Sequence, residues 1–394
     1  MLILVMGAAC VAQAFGRFTY GVVLPDVRDD LLGSNGAAGL VGTMNVAAYL
    51  AGTLGVAVAS TRLRPVRLVQ LGLCLSTAGL LLASRAGTGV ALAGAVVVMG
   101  LGGAAIWIPS PRLAAAALPP QRRGLAAGLV GVGIGVGIVF AGWLADALRT
   151  NGGDDAWRDV YAIEGVIGLA VLALTLAVLR DEPRVQPGGV AAGFGGFAAL
   201  RRIDGWRQLA LSYASFGFMY LLVFAFLVAR LEDDAGYSSA RAATVFSVVG
   251  VAAIFGGVVL GPLSDRFGRR TILVGAFTTF GLSTLAVLTG DRVWVLAGAI
   301  GIGLSFSGAP TVIAAYVVDA TDARTYGPVY SAATLAFGVA QMAAPQVGGV
   351  IADWTGSFTA VFLLSVGIAG TGAALASRLP PTRHAPLPAP DPIL

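Results

Sequence analysis

The sequence predicts an all-α integral membrane protein with twelve transmembrane helices in two pseudo-symmetric six-helix bundles. Three observations lead there: the poverty of charge, the spacing of apolar runs, and an internal repeat of about half the chain. Charged residues are 11% and hydrophobic residues 57% of the 394, whereas a soluble domain is about 25% charged. So little charge cannot wet a whole surface, and a mean hydropathy of +0.85 turns most of that surface toward lipid. The 56 glycines suit such helices, because a missing side chain lets two backbones approach closely.

A spanning helix needs roughly 20 apolar residues. Breaks at charged and Gly/Pro clusters leave runs near 2–25, 37–60, 66–85, 89–111, 123–147 and 158–179, then 207–230, 239–263, 270–289, 292–317, 327–350 and 357–377. Ala12-Gln13-Ala14 has the form of a signal-cleavage site. No basic residue precedes the apolar stretch, however, and it continues to Pro25, so it reads as the first spanning helix. The longest polar stretch runs from Arg180 to Arg207. The expected organisation is therefore an N-terminal bundle over 1–180, a central cytoplasmic loop over 181–206, a C-terminal bundle over 207–378 and a Pro-rich cytoplasmic tail over 379–394.

The repeat supports this division. Phe15-Gly16-Arg17 corresponds to Phe216-Gly217-Phe218, and Gly100-Leu101-Gly102 to Gly301-Ile302-Gly303, both at a spacing of 201; Ala145-Asp146 corresponds to Ala352-Asp353 at 207. Orientation follows from Arg. With the N-terminus inside, 17 Arg fall on the cytoplasmic connections and tail (62, 64, 67, 112, 122, 123, 180, 184, 201, 202, 207, 266, 269, 270, 324, 378 and 383) and seven on the outer loops (28, 85, 149, 158, 230, 241 and 292). Basic residues concentrate on cytoplasmic loops, so both termini are expected in the cytoplasm and the chain in a bacterial inner membrane.

Several classes are disfavoured. The net charge of +5 sits in short loops between apolar runs, so no nucleic-acid partner is expected. Cys10 and Cys74 lie in apolar runs without metal-ligand spacing, and the single His384 lies in the Pro-rich tail Pro380–Pro392; no metal and no cofactor are expected. All 25 basic residues are Arg, and a chain without Lys cannot build a phosphate-binding Gly-Lys loop. There is also no nucleophile elbow. The chain reads as no enzyme.

The most specific string is Gly261-Pro262-Leu263-Ser264-Asp265-Arg266-Phe267-Gly268-Arg269-Arg270, between the eighth and ninth runs. Gly261 permits close helix approach, and Gly268 permits a tight turn. Asp265 stands at a helix end, where it can accept from a neighbouring helix N-terminus and pair with Arg. The string resembles the G-x-L-x-D-R-x-G-R-R loop of the major facilitator superfamily. That resemblance implies the major facilitator fold and a gating role on the cytoplasmic side for Gly261, Asp265, Arg266, Gly268, Arg269 and Arg270. The corresponding stretch of the first half, Val56 to Pro65, has Ser60 where the Asp should stand, so gating by this device is expected at Asp265. More of the chain resembles the YbfB/YjiJ-like branch: Phe15-Gly16-Arg17-Phe18-Thr19-Tyr20-Gly21 with Leu24-Pro25, Gly42-Thr43-Met44-Asn45 with Tyr49-Leu50, Phe216-Gly217-Phe218-Met219-Tyr220, and Phe337-Gly338-Val339-Ala340-Gln341 with Pro345. The branch implies transport without fixing a substrate.

An ionisable group at mid-bilayer costs about 2.5–3.5 kcal/mol on insertion scales, so it needs a reason. Arg17 lies deep in the first run. Two readings are open: a cation that holds an anionic group of a solute, or a structural Arg paired with a neighbouring helix. Asn45 and Tyr49, four apart on one helix face, are candidates to line the site with Arg17 and Tyr20, or to make interhelical hydrogen bonds. Trp107, Tyr213, Tyr220, Phe306 and Gln341 are further substrate-binding candidates, each with a packing role as its alternative. Glu164 is the acid lying well inside an apolar run. A carboxyl group withdrawn from water holds its proton more tightly and could carry a coupling proton; alternatively Glu164 is a wet residue near the outer surface, paired with Arg158. The fifth run, Gly131 to Gly137, lacks the Gly-Pro pair of many drug antiporters.

The expected function is secondary active transport of a small organic solute, anionic or zwitterionic rather than cationic, by alternating access. The expected partners are that solute, the lipid bilayer and a coupling proton or other ion, with the chain acting as a monomer. Export of apolar drugs or toxins is the rival reading, and a non-transporting membrane receptor a more distant one.

Overall fold

A computed structural model describes residues 1–60, 62–117, 123–152, 155–179, 195–322 and 325–381. Twelve of its helices are long and apolar enough to cross a membrane, and the described residues contain no strand. In chain order they are α1 Leu2–Leu32, α2 Asn35–Ala59, α3 Pro65–Ala83, α4 Gly89–Ala116, α5 Arg123–Gly152, α6 Ala156–Val178, α7 Trp206–Asp234, α8 Ser239–Phe267, α9 Arg269–Leu288, α10 Arg292–Ala320, α11 Tyr326–Thr355 and α12 Thr359–Ala376. A short helix, Gly195–Leu200, precedes α7 inside the segment read as loop and packs against the start of α11. Arg122, Arg180, Arg184, Arg324, Arg383, His384, most of 181–206 and most of the tail lie outside the described residues.

Side-chain caps set four of the helix starts. Ser34, Thr88 and Ser238 accept from the backbone N–H groups of Ala37, Ala91 and Arg241, and Asp291 accepts from those of Val293 and Trp294. Each satisfies an otherwise orphan donor of a first turn. Gly268 stands between α8 and α9 at φ +91°, where a side chain would be strained.

α1 is longer than its apolar run. It passes through Pro25 and ends only at Leu32, before Gly33 at φ +71°. Charge and proline look like a stop in the sequence. In the fold, Asp26 and Arg28 are held by groups from other helices, so the helix can continue. Two stretches of α1, Cys10–Phe18 and Arg28–Leu32, have wide π-type turns, and α7 ends in one too, Arg230–Asp234. Such turns leave backbone carbonyls free for other partners and recur at functional sites.

The halves meet where α2 runs along α11 and α5 along α8. Because successive helices alternate in direction, the end at which α1 starts is called the near end and the other the far end. Polar contacts between the halves cluster toward the far end. Arg28 binds Asp233; Arg149, paired with Asp26 of its own half at 2.6 Å, binds Glu232 at 3.2 Å; the backbone N–H groups of Asn35 and Gly36 donate to the Asp353 carboxylate at 2.8 and 2.7 Å. Nearer the middle, Thr43 Oγ1 donates to the Met342 carbonyl at 2.9 Å and Ser247 Oγ to that of Val139 at 3.2 Å. Backbones touch there as well: a Cβ on Gly21 would sit 2.2 Å from the Phe224 carbonyl oxygen, and one on Gly39 2.2 Å from that of Pro345. Toward the near end, Leu54, Val58, Phe255, Val258 and Val339 are exposed. α7 is the most enclosed span, 78% of its apolar stretch buried against 33% for α6 and α12, so the inter-half centre is built around it.

Candidate functional site

Arg17 is the middle residue of α1, within its first wide turn. Its Nε and Nη2 are buried and, among the described residues, have no hydrogen-bond partner, and it makes no ion pair there. Its guanidinium instead lies 5.6 Å from the Tyr49 ring centre and 5.9 Å from that of Phe18. Cation–π contacts of this kind are weaker than an ion pair when a carboxylate is available.

A cavity of about 30 Å³ adjoins it, room for roughly one water molecule. Gly16, Arg17, Tyr20, Asn45 and Tyr161 of the first half line it together with Leu221, Phe224, Ala225 and Pro345 of the second. The site is thus tightly closed in this conformation.

The neighbouring polar groups divide into spent and unspent. Tyr20 donates its hydroxyl to the Ala38 carbonyl at 2.8 Å. Asn45 donates from Nδ2 to the carbonyls of Gly16, at 3.0 Å, and Val96, at 2.9 Å, and so ties α1, α2 and α4 together. Gln341 is 1% exposed and its Nε2 has no partner among the described residues, but it does not line the cavity. Trp107 packs against the apolar core and does not line the cavity either.

The second half contributes rings. Phe18 of α1 meets Phe224 at 5.2 Å and Phe306 at 5.5 Å, and Tyr220 meets Phe306 at 5.2 Å. From there rings continue toward the near end: Tyr220 over Phe216 at 5.1 Å, Tyr213 stacked on Phe337 at 4.6 Å, Tyr213 beside Tyr330 at 6.5 Å and Tyr330 stacked on Tyr326 at 5.6 Å. Tyr213, Tyr220 and Phe306, singled out in the sequence, belong to this series. Phe18, Phe216, Phe224 and Phe337 were not singled out, although 213, 216, 220 and 224 have the spacing of one helix face.

Glu164 corrects an expectation. It is fully buried, not wet. Its Oε1 accepts from Thr19 Oγ1 at 2.7 Å, while its Oε2 is buried without a partner among the described residues. Arg158 is engaged elsewhere, with Asp30 at 2.8 Å and with Asp155. The face of α6 that carries Glu164 is turned inward to α1, where a threonine supplies the donor.

A family model described as uncharacterised MFS-type transporter YbfB matches residues 9–377. The chain belongs to this family. Among curated relatives, the class C tetracycline resistance protein of Escherichia coli is 36% identical over 24% of this chain and 24% of its own. The 4-hydroxybenzoate transporter PcaK of Pseudomonas aeruginosa is 32% identical over 24% of this chain and 22% of its own. The gallate transporter of Pseudomonas putida is 27% identical over 50% and 51%. The aligned stretches thus span about half or less of each of these relatives. A crystal structure of a bacterial homolog of the human lysosomal transporter Spinster, inward-facing and unoccupied, matches with a TM-score of 0.77 over 95% of both chains at 17% identity, which shows the fold.

In this MFS-type transporter the conserved-type loop after α8 is braced within its own half. Asp265, 63% exposed, pairs with Arg269 at 2.5 Å; Arg269 also binds Asp319 at 2.9 Å and donates to Ser264 Oγ at 2.6 Å. Arg266 lies 5.3 Å from the Phe267 ring centre, Arg270 is exposed, and a Cβ on Gly261 would meet only the Thr311 methyl group. The ion pairs of Asp265 and Arg269 stay within the second half.

Proposed function

We propose that the chain is a secondary transporter of small organic carboxylates, aromatic ones in particular, working by alternating access across the bacterial inner membrane with both termini in the cytoplasm. The observation that carries this reading is the half-buried guanidinium of Arg17 at the meeting of the two halves, whose Nε and Nη2 are buried and, among the described residues, without a hydrogen-bond partner. A buried cation left without an anion is costly, and a bidentate carboxylate fits the guanidinium fork. The ring series from Tyr326 to Phe18 suits a planar apolar body behind that carboxylate, which agrees with what PcaK and the gallate transporter are named for. The Arg asymmetry of the loops supports the orientation; with it, the near end is cytoplasmic and the sealed far end external.

The test is binding of 4-hydroxybenzoate to purified protein by calorimetry. Arg17→Gln is expected to weaken it at least tenfold and Arg17→Lys less, since Lys keeps the charge but loses the fork. Export of apolar drugs is the second reading, favoured by the aromatic walls and by the tetracycline-resistance relative. Tight binding of an uncharged aromatic compound, unchanged in Arg17→Gln, would establish it in place of the first.

A further inference from the structure

Resting on the transporter reading above, we propose that Glu164 is the proton-binding site that couples solute movement to a proton gradient, with Thr19 relaying its state to the Arg17 segment. Glu164 is fully buried, and one of its oxygens is held while the other is open. A carboxyl group so arranged has Oε2 open to take a proton.

Among the described residues the surroundings offer no counter-charge. α1 turns Cys10 toward Glu164, α6 itself contributes Tyr161, and Tyr20 stands beyond Tyr161. From α3, Thr77 lies against Gly168, one turn along α6, and from α5, Gly137 lies against Cys10. The Arg nearest along α6, Arg158, is bound to Asp30 and Asp155. An uncompensated carboxylate at this depth is expensive, so the site carries its proton until water reaches it.

A line of side chains toward the far end and a link to the solute site are both present. Trp157, Tyr161 and Glu164 share one face of α6. Trp157 Nε1 donates to Asp30 at the surface at 3.3 Å, and the Tyr161 hydroxyl is buried and, among the described residues, has no partner. Thr19 has a second acceptor within 3.4 Å, the Ala14 carbonyl of the wide turn. When Glu164 gains or loses its proton, the Thr19 hydroxyl can pass between the two. Thr19 is two residues from Arg17, and Tyr161 lines the same cavity.

Infrared difference spectra of the solute-free protein across a pH titration test the site directly. A buried-carboxyl C=O band is expected to titrate, to vanish in Glu164→Gln and to shift in Thr19→Val. In proteoliposomes, Glu164→Gln is expected to keep exchange of 4-hydroxybenzoate while losing the several-fold stimulation that a pH gradient gives the wild type. Absence of a band assignable to Glu164, or pH-driven accumulation that survives Glu164→Gln, overturns the proposal. The infrared arm needs no solute, so failure of 4-hydroxybenzoate to bind counts against the carboxylate reading alone.

Discussion

α1 and α7 occupy corresponding places in the two halves and share a Phe-Gly pair at a spacing of 201, yet they do opposite work at the centre. α1 brings Arg17, which among the described residues makes no ion pair. α7 has Phe218 at that position and, around it, Tyr213, Phe216, Tyr220 and Phe224 in a run of ring contacts. The backbones repeat, down to a wide turn at both far ends, and the side chains do not. Pseudo-symmetry supplies two halves able to rock about a common centre, while the proposed recognition would be divided between a polar half and an aromatic one.

Arg17→Phe gives α1 the residue of α7 and erases the division. Truncating one member of a buried charge pair costs roughly 2–5 kcal/mol, so carboxylate binding measured by calorimetry should fall about a hundredfold or more while the fold, followed by circular dichroism, persists. Gly21→Ala attacks the place where the two helices touch. A Cβ there overlaps the Phe224 backbone, and spin-label distances across the far end should lengthen in most molecules. Tyr220→Ala removes a ring from the aromatic side alone. Aromatic pairs contribute about 0.5–1.5 kcal/mol, so affinity for 4-hydroxybenzoate should drop several-fold and that for acetate hardly at all. Arg28→Ala, which loosens the link between the ends of the same two helices, should do least. A surface ion pair is worth about 0–1 kcal/mol, which spin-label distances would register as a small shift in population.

Much of the architecture was legible because its causes are local. Twelve apolar runs need only composition, and Arg17 announces itself by lying far from either end of one of them. The α7 ring face could have been read from its spacing. The setting of Glu164 could not, since no pattern in α6 says which face meets α1 or that Thr19, 145 residues away, would be the partner. Nor could the far-end cluster. Asp26, Arg28, Arg149, Glu232 and Asp233 look like solvated helix ends until two halves bring them together, and for the same reason Pro25 resembled a stop. Asn45 was legible only as a polar residue in a helix; that its amide hydrogens are consumed by Gly16 and Val96 depends on where three helices cross.

The clasp between Asp353 and the start of α2 has a consequence for genetics. Its acceptor is a side chain, but its donors are main-chain N–H groups of Asn35 and Gly36; at Asn35 almost any substitution preserves the donor, whereas a Cβ on Gly36 would sit 2.9 Å from the Asp353 carboxylate. A selection for variants with a loosened far-end seal should therefore recover changes at Asp353 readily. At Asn35 it should recover little beyond proline, which alone deletes the donor. Mapped onto the sequence, such a selection would mark Asp353 and Gly36 and pass over Asn35, although Asn35 is an equal partner in the contact.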